Sequence, residues 1–320
     1  MPAAVSVSAD AIHSSHGRIP AAFRNMPQFV SEQLTERFGA PVVVKVESAN
    51  PIGCFKGRGT WLAMAELASA GAVGEELGLV VASAGNFGQG VAYAARAHRI
   101  PLIVFAATTA SPAKVAAMRR LGADVRLAGE DFDAAREAAA DHVAGSGWHL
   151  LVDGEEPWIT IGAGTIALEL TTGMEAGDLP DLASLYVPVG NGALIGGMGT
   201  WLKAVRHDMR LIGVQAEGAP AMALSWAERR PIETPTANTI ADGIAARVPV
   251  PEALDLMIRH VDAMELVNEE EILAAQAELE RDLPFAIETA AAAGWAAARR
   301  HATPEPIGFV LTGGNVSRPG

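Results

Sequence analysis

The chain has 320 residues, of which half are hydrophobic and 19% are charged, so it can bury a large core and is not disordered as a whole. Its net charge of −13, without a basic tail, excludes no fold but disfavours nucleic acid and anionic membranes as partners. The single cysteine, Cys54, excludes an intrachain disulfide and a cysteine-rich zinc site, and it suits a cytoplasmic protein. We find no secretory signal or membrane-spanning segment in the sequence.

Apolar runs typical of strands alternate with helical stretches, which predicts parallel sheets with crossover helices. The first group of predicted elements comprises strands at 79–83, 101–106 and 124–127 and helices at 88–98, 112–121 and 132–144. The second group comprises strands at 185–189, 211–216 and 307–311 and helices at 164–172, 194–207, 268–281 and 286–300. In the second group, Asn268 and Glu271 form a predicted capping box at the start of their helix.

This order predicts an α/β protein of two lobes, each an open, mostly parallel sheet flanked by helices. We assign residues 58–152 to a small domain, and residues 1–57 and 153–320 to a large one. No low-complexity linker separates the two groups of elements, so the lobes are expected to pack together. Ligands of such folds bind at the carboxyl ends of strands, which predicts an active site in the cleft between the lobes.

Lysine is scarce, and only one of the four lysines has the setting of a nucleophile. Lys114 and Lys203 lie at polar positions of predicted helices and are interpreted as solvated charges, and Lys45 as a surface strand residue. Lys56 instead follows a glycine-rich turn and an aromatic residue, GCFKGRG at 53–59. Such a turn lets backbone approach a ligand, and a partly apolar setting favours the neutral amine that forms an imine.

Three further loops each follow a predicted strand. SAGNFGQG (83–90) and PVGNGALIGG (188–197) open helices, so their backbone N–H groups can bind a carboxylate or a phosphate. LTGGN (311–315) places a hydroxyl beside two glycines, where a ring nitrogen could be its partner. Each loop alone is equally consistent with a tight turn that needs glycine for packing. Together with Lys56 they fit the aldehyde, phosphate and ring nitrogen of pyridoxal phosphate and the carboxylate of an amino acid.

With these motifs the sequence resembles the fold type II pyridoxal-phosphate enzymes, the tryptophan synthase β superfamily, and within them the serine/threonine dehydratases. GCFKGRG is similar to the family's Gly-Ser-Phe-Lys-x-Arg-Gly, and SAGNFGQGVA (83–92) to Ser-Ala-Gly-Asn-His-x-Gln-Gly-Val-Ala. The remaining similar stretches are GAGTIALEL (162–170), PVGNGALIGG, TIADGIA (239–245) and LTGGNV (311–316). Six motifs in the family's order, over about residues 47–316, make the resemblance specific.

The resemblance implies a role for each matching residue. Lys56 is the expected Schiff-base lysine and the acid/base at the substrate Cα, with Phe55 and Gly243 near opposite faces of the pyridine ring. Asn86 is expected to bind the ring 3-hydroxyl and Thr312 the ring nitrogen. The expected phosphate ligands are the backbone N–H groups of Gly190, Asn191, Gly192, Ala193 and Leu194. The expected ligands of the substrate carboxylate are Ser83, Ala84, Gly85, Asn86 and Phe87. Glu288 matches a family glutamate, but an ordinary carboxylate at a helix N-terminus explains it equally well.

Four departures from the family pattern change these expectations. Phe87 replaces the usual histidine, which makes the substrate pocket more apolar. Ala84 stands where serine racemases have their second base, so racemisation is not expected. The two carboxylates that bind a divalent cation in the family are Gln215 and Ala221 here, so we expect no metal. Cys54 replaces a serine and is interpreted as a packed thiol rather than a nucleophile.

We therefore predict a pyridoxal-phosphate ammonia-lyase, or dehydratase, that converts a β-hydroxy amino acid such as L-threonine or L-serine to a 2-oxo acid and ammonia. One alternative is a β- or γ-replacement enzyme similar to threonine synthase, suggested by Asn50-Pro51 before the lysine motif. The other is a protein that binds the cofactor without turnover. The expected partner is a small-molecule amino acid, and the resemblance alone implies a homodimer.

Overall fold

The computed structural model describes residues 5–130, 132–301 and 303–316. The α-helices in it are α1 (Ala9–His16), α2 (Glu32–Phe38), α3 (Lys56–Ser69), α4 (Asn86–His98), α5 (Pro112–Arg120), α6 (Phe132–Ser146), α7 (Pro157–Glu175), α8 (Ala193–Val205), α9 (Ala221–Glu228), α10 (Pro251–His260), α11 (Glu269–Asp282) and α12 (Thr289–Ala298). The strands are β1 (Gln28–Val30), β2 (Val42–Val46), β3 (Leu79–Ala82), β4 (Leu102–Ala106), β5 (Asp124–Leu127), β6 (His149–Leu150), β7 (Ser184–Pro188), β8 (Arg210–Ala216), β9 (Ala263–Val267) and β10 (Ile307–Leu311). Short 3₁₀ turns cover Ala21–Phe23 and Asp242–Ile244.

Ten strands form two sheets in the described part of the chain. The larger sheet has the order β1-β2-β10-β7-β8-β9, and its strands pair in parallel except for the edge pair β1 and β2. The smaller sheet, β5-β4-β3-β6, is parallel throughout. The predicted α/β fold with two mostly parallel sheets is confirmed. All strands of the smaller sheet lie between residues 79 and 150, which supports the proposed small domain at 58–152.

The central strands are apolar runs because helices cover both of their faces. Every residue of β2, β7 and β10 is buried, as expected for parallel strands with crossover helices on either side. Helix α12, which is rich in alanine, packs on the larger sheet through Trp295, whose ring contacts that of Phe309. Among the described residues, we find no helix long and apolar enough to cross a membrane.

Helix α7 is longer than the sequence predicted, since it extends beyond the predicted 164–172 at both ends. One of its glycines serves close packing between helices. A Cβ atom on Gly162 would lie 2.5 Å from the Cα of Gly59 in α3. Glycine at both positions therefore lets α3 and α7 approach closely, and α3 is the helix that begins at Lys56.

Several elements were not predicted, namely α1, α2, α3, β1, β6, α9, α10 and β9. Strand β9 is only half-buried along most of its length, so it lacks the apolar run that identified the central strands. The predicted capping box is confirmed: Asn268 accepts the N–H of Glu271, and the Glu271 side chain accepts the N–H of Asn268.

Candidate active site

Lys56 is positioned by a loop that joins the end of β2 to α3. The side-chain amide of Asn50 donates to the carbonyl oxygens of Glu47 and Cys54, at 2.8 and 3.0 Å, and so closes the turn. Gly53 has a φ of +66°, and a Cβ atom there would lie 2.7 Å from Asn315 Oδ1, so the turn requires glycine. The loop therefore sets the position at which α3 begins, and so positions Lys56, the first residue of that helix.

The Lys56 amine lies near two aromatic rings and one carboxylate. Its Nζ is 4.9 Å from the centre of the Phe55 ring and 5.7 Å from that of Phe87. It donates to Asp153 Oδ2 at 2.6 Å, and its side chain is 12% exposed. The amine thus has the partly apolar surroundings that the sequence predicted, together with an acidic partner that was not predicted.

The segment 83–87 forms the turn between β3 and α4. The Ser83 hydroxyl accepts the N–H groups of Gly88 at 2.9 Å and Gly85 at 3.3 Å, which holds the turn closed. Gly85 occupies the N-cap of α4 without a side-chain cap of its own. Ala84 precedes this position and Phe87 lies in the first turn of α4, whose first N–H groups are suited to bind a carboxylate.

The segment 190–194 forms the equivalent turn between β7 and α8. Gly192, at φ +93°, occupies the N-cap of α8 and has no side chain to cap it. The N–H of Ala193 donates to Asn191 Oδ1 at 3.1 Å, so this predicted phosphate donor already has a partner. Leu194 is the next residue of the helix and is buried. A Cβ atom on Gly190 would lie 2.9 Å from the carbonyl oxygen of Gly243, which brings the 239–245 loop against this turn.

A buried carboxylate lies beside these loops. Glu288, at the N-cap of α12, is 5% exposed and accepts two hydrogen bonds from Asn86 Nδ2, at 2.9 and 3.1 Å. Burial raises the pKa of Glu288 to about 7, while the bonds from Asn86 and the charge of Lys114 oppose the rise. The Glu288 side chain makes no capping hydrogen bond to α12, and it instead binds Asn86 at the end of the 83–87 turn.

Thr312 and Gly313 close the remaining side of the site. The Thr312 carbonyl oxygen accepts the N–H of Phe55 at 3.0 Å, which ties the end of β10 to the lysine loop. A Cβ atom on Gly313 would lie 2.2 Å from Glu288 Oε1, so the carboxylate packs directly on this backbone. The Asn86 side chain also accepts a hydrogen bond from Asn315 Nδ2 at 2.9 Å. The Asn86 amide thus links Glu288 to Asn315, and it is the group that would bind the 3-hydroxyl of the cofactor.

These residues fit pyridoxal phosphate on structural grounds. Glycines line the site at positions where a Cβ atom would meet backbone or the Glu288 carboxylate. The first turn of α8 offers backbone N–H groups to a phosphate. Lys56 is the amine that lies near the two aromatic rings. The expected ligands therefore meet where β2, β3, β7 and β10 end, in the cleft between the sheets.

Two lysine interpretations were wrong. Lys45 is not on the surface: it is fully buried and donates to Glu169 Oε2 at 2.6 Å. Lys114 is not solvated, because its side chain is 9% exposed and its amine pairs with Asp242 across the cleft. No pattern in the sequence indicated either contact, since the partners lie more than 120 residues away along the chain.

Gln215 and Ala221, the positions where the family has metal carboxylates, are buried in the larger domain. The Gln215 side-chain oxygen accepts the N–H of Ala223 at 2.9 Å and so stabilises the first turn of α9. Within residues 5–130, 132–301 and 303–316, no group of three or more His, Cys, Asp or Glu side chains is arranged to hold a metal ion. That the protein needs no metal stays a prediction.

The model of one protein family, described as pyridoxal-phosphate dependent enzyme, matches residues 19–313 of this chain. The chain belongs to this family. Its cofactor is therefore pyridoxal phosphate, and the family and cofactor predicted from the motifs are confirmed.

Relatives with named activities are similar over most of the chain. The L-threonine ammonia-lyase of Thermotoga maritima is 36% identical over 89% of this chain and 70% of its own. The L-threonine ammonia-lyase of Geobacter sulfurreducens is 33% identical over 95% of this chain and 75% of its own. Among solved structures, maize serine racemase has a TM-score of 0.89 at 26% identity, covering 98% of this chain and 95% of that one.

Proposed function

We propose that the protein is a pyridoxal-phosphate ammonia-lyase that converts a β-hydroxy L-amino acid, such as L-threonine or L-serine, to a 2-oxo acid and ammonia. The observation that carries this proposal is the Lys56 amine, which lies 4.9 Å from the centre of the Phe55 ring and 5.7 Å from that of Phe87. Two relatives above 30% identity that bear the name L-threonine ammonia-lyase support the substrate class.

The chain's own residues supply binding and proton transfer. The 83–87 turn and the first N–H groups of α4 bind the substrate carboxylate, which turns the α-hydrogen toward Lys56. Lys56 takes the α-proton, and its ammonium form then has Asp153 beside it at 2.6 Å. When bound, pyridoxal phosphate supplies the electron sink that makes the α-hydrogen acidic. The β-hydroxyl leaves as water, and hydrolysis of the product gives the 2-oxo acid and ammonia.

Two residues favour elimination over competing reactions. Thr312, at the expected position of the ring nitrogen, is a neutral residue and cannot keep that nitrogen protonated as a carboxylate would. A ring bound beside Thr312 would therefore stabilise less charge, which would favour prompt loss of the β-group. Ala84 offers no second base on the opposite side of the substrate, so proton return with inversion lacks a donor there.

The test is release of 2-oxo acid from a panel of β-hydroxy amino acids by the protein loaded with pyridoxal phosphate. We expect activity with the wild type, its loss in Lys56→Ala, and its retention in Lys203→Ala. Lys203 is a matched control because it pairs with Asp262 on the outside of the larger domain. No 2-oxo acid from any member of the panel, with turnover of phosphohomoserine instead, would replace the proposal by a threonine synthase-like reaction.

Finer properties belong to the same proposal. We propose that the protein acts on L-serine as well as L-threonine, works in the cytoplasm and forms a homodimer. The single buried Cys54 supports a reducing compartment. Sedimentation equilibrium would test the dimer, since a monomer at micromolar concentration contradicts it.

A further inference from the structure

Asp153 contributes a carboxylate that the motifs did not predict. It lies between β6 and α7, and its Oδ2 accepts from Lys56 Nζ at 2.6 Å. Its other oxygen, Oδ1, is buried and has no hydrogen-bond partner within the described residues. A carboxylate oxygen removed from water without a donor is costly, so this side chain is set up for a partner that the protein itself does not supply.

The neighbouring residue places Asp153 relative to the phosphate loop. Gly154 has a φ of +94°, and a Cβ atom there would lie 3.0 Å from Asn191 Nδ2. Asp153 thus contacts the amine that removes the α-proton. Its neighbour in the sequence, Gly154, lies against the 190–194 loop. The 83–87 turn takes the substrate carboxylate, so the substituent on the β-carbon is the part of the substrate left to face Asp153.

We propose that Asp153 is a specificity-determining residue that selects substrates whose β-carbon carries a hydrogen-bond donor, either a hydroxyl or an ammonium group. While Lys56 is free to take the α-proton, it contacts only Oδ2 of Asp153, and the buried Oδ1 still needs a donor. A β-hydroxyl or β-ammonium provides one, whereas a β-carboxylate meets a like charge. This inference rests on the proposed function, because it assigns the substrate class of the same site.

The same geometry predicts a second elimination, from 2,3-diaminopropionate. Lys56 takes the α-proton, and the electron pair of the Cα–H bond forms the Cα–Cβ double bond. The Cβ–N bond breaks with its electron pair on nitrogen, so the β-ammonium leaves as ammonia. One water then hydrolyses the product, and the balance is one 2,3-diaminopropionate and one water to one pyruvate and two ammonia. No oxidant or reductant is needed.

The test compares L-serine, L-2,3-diaminopropionate and L-threo-3-hydroxyaspartate on the holoenzyme and on Asp153→Asn. Binding is read from the fast absorbance change of the cofactor on stopped-flow mixing, before elimination, and kcat/KM from pyruvate or oxaloacetate release. We expect Asp153→Asn to weaken binding of diaminopropionate about tenfold relative to serine, as loss of a hydrogen bond between charged groups implies. Binding of 3-hydroxyaspartate relative to serine should strengthen in the same variant.

Glu155→Gln is the matched control, because Glu155 is an exposed carboxylate two residues away and its loss changes the net charge equally. Glu155→Gln should leave the binding of diaminopropionate and of 3-hydroxyaspartate, each relative to serine, unchanged. Equal weakening of all three ligands in Asp153→Asn, or the same shift in Glu155→Gln, would overturn the inference. The relative binding of the three ligands is measured before turnover. Absence of 2-oxo acid with the wild type would therefore refute the proposed function, while the test of Asp153 would still be valid.

Discussion

Replacing Arg58 with alanine removes the cation at the centre of a buried charge cluster behind the active site. Arg58 is fully buried and donates to both oxygens of Glu47, each at 2.8 Å. It also donates to both oxygens of Glu169, at 2.7 and 2.8 Å, and to the Thr165 hydroxyl at 3.1 Å. Arg58 thereby joins β2, α3 and α7, the elements that carry and support Lys56.

The expected loss is large because Arg58→Ala leaves two buried carboxylates to share the buried ammonium of Lys45. Breaking one buried ion pair by removing a partner costs about 3–5 kcal/mol, which is a large part of a typical domain stability of about 5–15 kcal/mol. We therefore expect the free energy of unfolding of Arg58→Ala to fall by about 4 kcal/mol or more.

The loss in free energy of unfolding that Arg58→Ala causes should depend on pH in a defined direction. Burial raises the pKa of Glu47, and Arg58 opposes that rise, so the variant has a still higher folded-state pKa. A carboxyl whose folded-state pKa is raised contributes stability at low pH and loses it as the pH rises through that pKa. The difference between wild type and Arg58→Ala should thus be greater near about pH 8 than near about pH 5.5.

Urea unfolding followed by tryptophan fluorescence measures both effects. Arg37→Ala is the matched control, since Arg37 also binds two carboxylates, Glu278 and Asp282, but has a side chain that is 41% exposed. We expect the control to unfold at nearly the wild-type urea concentration. A loss below about 1 kcal/mol in Arg58→Ala, or a loss no greater than in Arg37→Ala, would refute the reasoning.

Three further predictions follow from single contacts. In the cofactor-free protein, Glu288→Gln should abolish a decrease in stability of about 3 kcal/mol between about pH 4.5 and 7, because the folded-state pKa of Glu288 is raised to about 7; an unchanged pH profile contradicts this. Gly53→Ala should lower the fraction of lysine-bound cofactor in the absorbance spectrum, whereas Gly39→Ala, also at positive φ but with no atom within 4 Å of its Cβ, should not; equal spectra contradict it. Because burial raises the pKa of Cys54 strongly, a thiol reagent at about pH 8 should label the unfolded protein once and the native protein not at all; rapid native labelling contradicts this.

The sequence was sufficient for those parts of the fold and site that depend on local order. The strand at 307–311 and the loop after it were predicted because an apolar run ends directly at LTGGN. The turns at 83–87 and 190–194 were predicted for the same reason, since each follows a buried strand and opens a helix. Loop and strand are adjacent along the chain, and no distant partner is needed to recognise them.

The contacts that the sequence could not give join residues far apart along the chain. Lys45 has the pattern of a strand residue, and only the burial of β2 on both faces and the position of Glu169 in α7 make it an interior cation. Asp153 lies 97 residues from Lys56, in a segment without periodicity, so nothing in its surroundings along the sequence marked it. Charge pairing across the cleft is a property of the tertiary fold, which residue patterns do not record.

The most direct test of the account is the identity of the lysine that binds the cofactor. Borohydride reduction of the protein loaded with pyridoxal phosphate, followed by proteolysis and mass spectrometry, attaches the label to the lysine in question. The chain offers four candidates: Lys45, Lys56, Lys114 and Lys203. We predict one equivalent of label on the peptide that contains Lys56 and none on the others. A label on any other lysine, or no label at all, contradicts the account.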